Sequence, residues 1–242
     1  MNTLVVPEID FPAGICHFVA TPIGNLGDIG LRALGVLSAA EVVFAEDTRH
    51  TRRLLDHYGI RAPMVSYHDH NKSRVVPQIV DRLQAGQKVA VVSDAGMPCV
   101  SDPGYSLIKA LQEANLTWTV IPGPSSTLAA LVLSGFPTDR FLFVGYPPRK
   151  KGQRSTFLAK IMEEQGTVLI LESCHRIQST LELLAGIAPE RPLAIAREIT
   201  KLHEETLKGT ASELQKTMTG SRLKGELVLV VKGLGRKKNR EE

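Results

Sequence analysis

Cysteine, tryptophan and long apolar runs are all scarce in this sequence, and each scarcity closes off a class of protein. The 242 residues hold 3 cysteines and 1 tryptophan, with aromatics at only 5%. Cys16, Cys99 and Cys174 are too few and too widely spaced for a disulfide framework or a zinc site, so they read as reduced, mostly buried thiols. No apolar stretch reaches the length needed to cross a bilayer. Residues 1–12 carry Glu8 and Asp10 and show neither a basic segment nor a long hydrophobic stretch, so a cytoplasmic location and no membrane partner are expected. Familiar nucleotide motifs are missing too. The first candidate loop has Gly24 and Gly27, with Pro22 where a dinucleotide fingerprint has an early glycine, and no G-x-x-x-x-G-K-[ST] phosphate loop occurs anywhere. Ser93 and Ser125 lack a nucleophile-elbow context. His68 and His70 flank Asp69 like a metal pair, but no further ligand pair of familiar spacing stands nearby, so no metal is expected.

What is present is the composition of a globular protein, 43% hydrophobic and 22% charged, in a chain long enough for two ordinary domains. The net charge of +4 favours an acidic partner without identifying one. The basic residues gather in three places: Arg49, Arg52 and Arg53; Arg149, Lys150, Lys151 and Arg154; and Arg236, Lys237, Lys238 and Arg240. Clusters of this kind serve a solvated face as readily as a nucleic acid.

Periodicity divides the chain into alternating strands and helices. Strands are expected at 15–20, 42–45, 64–66, 88–92 and 118–121, with helices between them and a further helix to about Ser134. The pattern restarts after Gly135. Strands follow at 141–144, 167–171, 193–196, 206–208 and 227–231, with helices at 155–164, 177–184 and 212–218. The expected fold is therefore α/β, as two domains with mostly parallel sheets. The expected divisions are an extension at 1–13, domains at 14–135 and 136–234, and a charged tail at 235–242.

The stretch from Val91 to Gly104 stands out. A β-branched strand opens into a loop with two Ser-Asp pairs, two glycines and two prolines before Tyr105 begins a helix. Loops at the carboxyl ends of parallel strands bind ligands in open α/β sheets, and small residues let a ligand approach the backbone. The loops at Thr21–Asp28 and Pro122–Ser126 have the same character. Together they suit a ligand met by backbone groups and small hydroxyls.

Six separated segments, in order, carry a resemblance: 21–26 (TPIGNL), 45–52 (AEDTRHTR), 93–96 (SDAG), 101–105 (SDPGY), 121–125 (IPGPS) and 200–205 (TKLHEE). They resemble the signatures of the small-subunit ribosomal RNA methyltransferase I family. That family is a branch of the tetrapyrrole methylase superfamily, the class III S-adenosylmethionine-dependent methyltransferases. The likeness spans about residues 14–232 and departs from the family pattern at Met97, Cys99 and Cys174.

The resemblance implies a ligand cleft between two α/β domains and S-adenosylmethionine as cofactor. It implies a homodimer that methylates the 2′-hydroxyl of a cytidine in small-subunit ribosomal RNA or the assembled 30S subunit. Donor contacts would come from Pro22, Ile23, Ser93, Asp94, Ala95, Gly96, Pro98, Ser125, Ser126, Leu171, Glu172, Ala196 and Gly225. A base for the ribose hydroxyl would be found among Asp102, Glu46 and Lys201, with Asp47, Glu172 and Glu198 as further carboxylates, each of which could equally cap a loop or form a salt bridge. Arg49, Arg52, Arg149, Lys150, Lys151 and Arg154 could grip RNA phosphates, while Arg176 and Arg197 could instead pair with internal carboxylates. Two other readings remain: a methylase of a tetrapyrrole or corrin precursor, and a non-catalytic RNA-binding assembly protein. Relatives acting on tetrapyrroles generally carry G-x-G-P-G after the first strand, where this chain has Thr21-Pro22-Ile23-Gly24-Asn25.

Overall fold

The computed structural model describes residues 6–101 and 104–235. The chain forms two compact units, Met1–Ser125 and Ser126–Glu242.

In the first unit, short β-branched runs alternate with amphipathic helices: β1 (Cys16–Val19), α1 (Leu31–Ala39), β2 (Val42–Ala45), α2 (Thr48–His57), β3 (Met64–Ser66), α3 (Lys72–Gln84), β4 (Val89–Val92), α4 (Tyr105–Glu113) and β5 (Trp118–Ile121). The sheet order is β3-β2-β4-β1-β5 and every pairing is parallel. Alternate side chains of one strand supply opposite cores. Val42 and Phe44 join Cys16, Phe18, Ile79, Leu107 and Leu111 on one face, while Val43 and Ala45 join Leu34, Leu37 and Leu55 on the other. Helices cover both faces, which is why β1, β2 and β4 are buried throughout. Because all strands run the same way, their exit loops line one edge of the sheet.

The second unit contains α5 (Ser126–Ser134), β6 (Phe141–Phe143), α6 (Lys151–Ile161), β7 (Thr167–Ser173), α7 (Ile177–Ile187), β8 (Leu193–Arg197), β9 (Glu205–Gly209), α8 (Ala211–Thr217) and β10 (Glu226–Val231). Its order is β6-β7-β10-β8-β9. Here the expectation of a mostly parallel sheet fails: β6 and β7 are parallel, but β7-β10, β10-β8 and β8-β9 are antiparallel. The connection from Glu198 to Glu204 is too short for the crossover that a parallel neighbour requires.

Two local differences bear on function. The helix α5 groups with the second unit and packs on β7, β8 and β10, so the division falls one helix before the restart at Gly135. The helix α6 begins at Lys151 instead of Ser155, because Lys, Gln and Arg are good helix formers despite their polarity. That shift places Arg154 in a helix, where it turns inward. Cys16 is buried while Cys99 and Cys174 are half-buried, and all three are free thiols. Burial pushes the Cys16 thiol well above its ordinary pKa, with a smaller push from Cys99.

Candidate functional site

The exit loops of the first sheet are joined to one another in the same sequence as the strands. Between β3 and β2, the Ser66 hydroxyl donates to the Glu46 carbonyl at 3.4 Å. Between β2 and β4, the Asp47 amide donates to Asp94 Oδ1 at 2.8 Å. Between β4 and β1, Thr21 and Gly96 exchange two backbone hydrogen bonds of 3.0 Å each, and Thr21 Oγ1 donates to the Ser93 carbonyl at 3.2 Å. Between β1 and β5, a Cβ on Gly123 would come within 2.9 Å of the Ala20 Cβ, closer than real side chains approach. Each link needs a small or a short polar residue, so the composition of these loops follows from their convergence.

Gly96 is the centre of this edge. Its φ of +77° lies in the left-handed region, and a Cβ there would stand 3.4 Å from Ile23 Cγ2 and 3.6 Å from the Pro124 carbonyl. Its amide and carbonyl are both used by Thr21. Gly96 therefore shapes the loop, and the contacts offered to a ligand fall to its neighbours. Ala95 is exposed, Asp94 and Ser125 are half-buried, and Pro22, Ile23, Ser93 and Pro98 are buried. A donor recognised by backbone and small side chains fits this set.

Beyond Pro98 the loop is bent sharply. Cys99 and Ser101 have φ of +70° and +64°, and a Cβ on Gly104 would overlap Cys99 Sγ at 2.1 Å. Left-handed non-glycine residues cost energy and cluster at functional sites. Asp102, one of the candidate bases, lies outside the described residues.

On the β2 side, Asp47 caps α2 by accepting from the Arg49 amide at 2.8 Å. It also pairs with Arg49 Nη2 at 2.7 Å. Hydrogen bonding by the Arg49 side chain holds the Asp47 carboxyl far below its ordinary range and raises Arg49 in turn. Arg49 is nonetheless 90% exposed, and Arg52 is exposed beside it, so both can meet a phosphate. Glu46 is half-buried.

Several expectations for the second unit change. The Glu172 side chain is fully buried and committed: it pairs with Arg176 at 2.7 Å and accepts from Thr180 Oγ1 at 2.6 Å and from the Ser173 amide at 2.7 Å. The Glu172 side chain is thus taken up by internal partners, whereas Leu171, whose amide donates to the Gly145 carbonyl at 3.0 Å, keeps a half-buried side chain. Ala196 sits in β8 between β9 and β10, and Ser126 begins α5. Gly225 has its own structural reason: at φ +85°, its Cβ would strike the Glu198 carboxylate at 2.4 Å. Lys201 is held at 3.1 Å from both Glu198 and Glu226. Burial alone would lower its pKa, but hydrogen bonds and charge from the two glutamates outweigh burial and leave it raised. So placed, Lys201 bridges two carboxylates, the salt-bridge role that the sequence also left open to it. Arg149, Lys150 and Lys151 are exposed as an RNA grip requires, whereas Arg154 is only 5% exposed and donates from Nη2 to Ser179 Oγ.

Sequence reasoning missed the Asp47–Asp94 link and the Arg197–Glu205–Arg222 cluster. In the latter, Glu205 accepts from Arg197 Nη1 at 2.9 Å and from Arg222 Nε at 3.1 Å. No local pattern marks pairs so far apart in sequence. Among the described residues no cluster of three or more His, Cys, Asp or Glu side chains could hold a metal ion, and no helix is long and apolar enough to cross a membrane.

Comparison with known proteins agrees with this arrangement. The family of Tetrapyrrole (Corrin/Porphyrin) Methylases matches residues 16–215. "Ribosomal RNA small subunit methyltransferase I" of Synechocystis sp. is 44% identical, covering 91% of this chain and 79% of that protein. The protein of the same name from Bacillus subtilis (strain 168) is 38% identical, over 95% of this chain and 78% of its own. Among solved structures, uroporphyrin-III-C-methyltransferase from Thermus thermophilus superposes with a TM-score of 0.65 at 23% identity, covering 90% of this chain and 94% of that one. Diphthine synthase has a TM-score of 0.67 at 16% identity, covering 90% and 89%. These two likenesses concern the fold alone. The matched span and the level of identity place the chain in the tetrapyrrole methylase family, as a member of its ribosomal RNA small subunit methyltransferase I branch.

Proposed function

We propose that this protein transfers the methyl group of S-adenosylmethionine to the 2′-hydroxyl of a cytidine in small-subunit ribosomal RNA. The observation that carries the reading is the continuous edge of linked loops around Gly96, in a chain 44% identical to a relative named for methylating that RNA. S-adenosylmethionine, when bound, would supply an electrophilic methyl carbon: the ribose oxygen would bond to it in line as the carbon–sulfur bond breaks, with the neutral thioether S-adenosylhomocysteine leaving and the hydroxyl proton passing to a base. The protein's task is to hold both partners in that line and exclude water. Pro22, Ile23, Ser93, Asp94, Ala95, Pro98 and Ser125 hold the donor from the first unit. Glu46, on the loop that leaves β2 at this edge, and Asp102, by its carboxylate in the sequence, are the groups suited to receive the hydroxyl proton. Arg49 and Arg52, with Arg149, Lys150 and Lys151, neutralise RNA phosphates, and RNA in the cytoplasm is their target.

The protein acts as a homodimer in this reading. Leu128 and Val132 on α5, with Phe141 and Leu142 on β6, support it, since these apolar side chains are 39–73% exposed.

The test is incubation of purified protein with labelled donor and small ribosomal subunits, or their RNA, lacking the modification. Label recovered as 2′-O-methylcytidine after nuclease digestion is expected. Label on another nucleoside or on the base overturns the specificity, label on a porphyrinoid alone overturns the RNA substrate, and no donor binding overturns the enzyme. Glu46→Gln and Asp102→Asn separate the two candidate bases, because loss of turnover with intact donor binding marks the one that acts.

A further inference from the structure

The sheet of the second unit presents an unusual arrangement where β6 and β7 end. These strands are parallel, so the helices that follow them, α6 and α7, both begin at the same edge. Three contacts tie the two helical starts together. Arg154, in the second turn of α6, donates through Nη2 to Ser179 in the first turn of α7. Arg176, at the N-cap of α7, donates through Nη1 to the carbonyl of Pro147, just before α6, at 3.1 Å. Lys151 and Glu182 form an ion pair of 3.7 Å between the helices. Neither helix receives a side-chain cap: the N-cap positions are Lys150 and Arg176, whose carbonyls accept from Arg154 and Thr180 but whose side chains accept nothing from the turns they precede. Two sets of first-turn amides and two positive dipole ends thus lie side by side.

The second observation is Arg154 itself. A guanidinium this deeply buried ordinarily has a carboxylate partner, because burying an unpaired charge is costly. Arg154 is 5% exposed, yet among the described residues it forms no ion pair, and its Nε has no hydrogen-bond partner. Side chains on a helix lean back toward its N-terminus, and the bond to Ser179 fixes the guanidinium at the start of α7. The nearby carboxylate Glu172 is already taken up by Arg176, Thr180 and the Ser173 amide. The arrangement is two amide-bearing turns and a buried guanidinium with no carboxylate paired to it among the described residues, since Glu182 pairs with Lys151 and Glu172 with Arg176. Arg149, Lys150 and Lys151 stand exposed beside it.

We propose that the paired N-terminal turns of α6 and α7 form a phosphate site with Arg154 as its buried cation, and that its ligand is a backbone phosphate of the RNA substrate. The proposal rests on the RNA reading above. Phosphate is the anion that suits it, since its oxygens can take hydrogen bonds from both turns and from a guanidinium at once. A contact of this type positions the RNA without reading its sequence.

The decisive variant is Ser179→Asp, which gives Arg154 an internal carboxylate and closes the site without removing the buried cation. Lys216→Gln, an exposed position on α8 with the same change in net charge, is the control. Two quantities are measured: affinity for a small-subunit RNA fragment across a salt series, and the rise in melting temperature on adding inorganic phosphate. Ser179→Asp is expected to melt no lower than the parent, to bind RNA about tenfold or more weakly, to lose about one unit of salt slope, and to lose the phosphate effect. The control should retain all of these. Unchanged RNA affinity with the phosphate effect lost would assign the site to a free phosphate compound and overturn the RNA assignment. No change in either overturns the site. If Ser179→Asp fails to fold, Arg154→Lys and Arg154→Gln take its place, with the lysine variant expected to keep part of the phosphate effect and the glutamine variant none; equal retention by both overturns the site. If the parent binds no RNA, the functional reading fails, and the phosphate effect alone then judges the site.

Discussion

The loop edge of the first sheet and the strand ends of the second contrast in how they are held. In the first unit the loops are fastened by main-chain groups, short side chains and close approaches, with Gly96, Gly123, Thr21, Ser66 and Asp94 at the junctions and each bond having a main-chain group on at least one side. In the second, charged side chains do the fastening: Glu172 with Arg176, Glu205 with Arg197 and Arg222, and Lys201 between Glu198 and Glu226. A fastening made of backbone leaves little charge in the pocket and suits a small donor recognised closely. A fastening made of ion pairs fixes a charged surface in place, which suits a polyanion. The contrast also sorts carboxylates by task, since those fully committed to internal partners cannot serve the chemistry.

The sharpest way to break this contrast is Gly96→Trp. A side chain at φ +77°, facing Ile23 and the Pro124 carbonyl, must displace the loop. Donor affinity measured by calorimetry should fall more than about a hundredfold, about 2.7 kcal/mol, while the left-handed backbone costs about 1–2 kcal/mol of stability and the protein stays folded. Normal donor binding would refute the placement of the pocket. Glu172→Gln should do the reverse. Arg176 and Thr180 would lose a buried carboxylate, at a cost of about 3 kcal/mol in unfolding free energy by denaturant titration. Donor affinity should hold, because the Glu172 side chain is wholly taken up by internal partners. Asp94→Ala lies between the two. It frees the Asp47 amide and should cost about 1–2 kcal/mol of stability, together with weakened donor binding. An effect on stability alone would mean that Asp94 is only a brace.

The smallest expected effect is one of pH. Burial alone raises the pKa of Glu198, but the Glu226 amide, Lys201 and Arg197 outweigh it, so the carboxyl sits below its ordinary value. Stability from this group is present above the ordinary glutamate range and lost as pH falls through the lowered value. Lys201, raised, contributes fully below the ordinary lysine range and is lost only as pH rises through its raised value. The Glu198–Lys201 ion pair should therefore stay intact from about pH 5 to about pH 10. The NMR shift of the Glu226 amide, which donates to Glu198 at 2.9 Å, reports this directly. A midpoint at or above the ordinary glutamate value would refute it.

Much of the local structure was legible in the residues. The sequence pattern places β2, β3 and β5 at their observed bounds. The loops at Thr21, Ser93 and Pro122 could be named as a ligand site because their composition is itself unusual. The start of α6 was not legible, since a polar, basic run gives no hydrophobic period to read. The inward turn of Arg154 was missed for the same reason.

The sequence by itself determined the order of strands and helices, the small-residue loops and the family, because propensity, periodicity and motif spacing act over a few residues. Only the tertiary structure decided that the second sheet is largely antiparallel, that Asp94 braces Asp47, and that Glu172 and Lys201 are held by internal partners. Those outcomes depend on which strands lie side by side. That neighbourhood is set by packing the whole core, so a residue's charge reveals its task only once its partners are known.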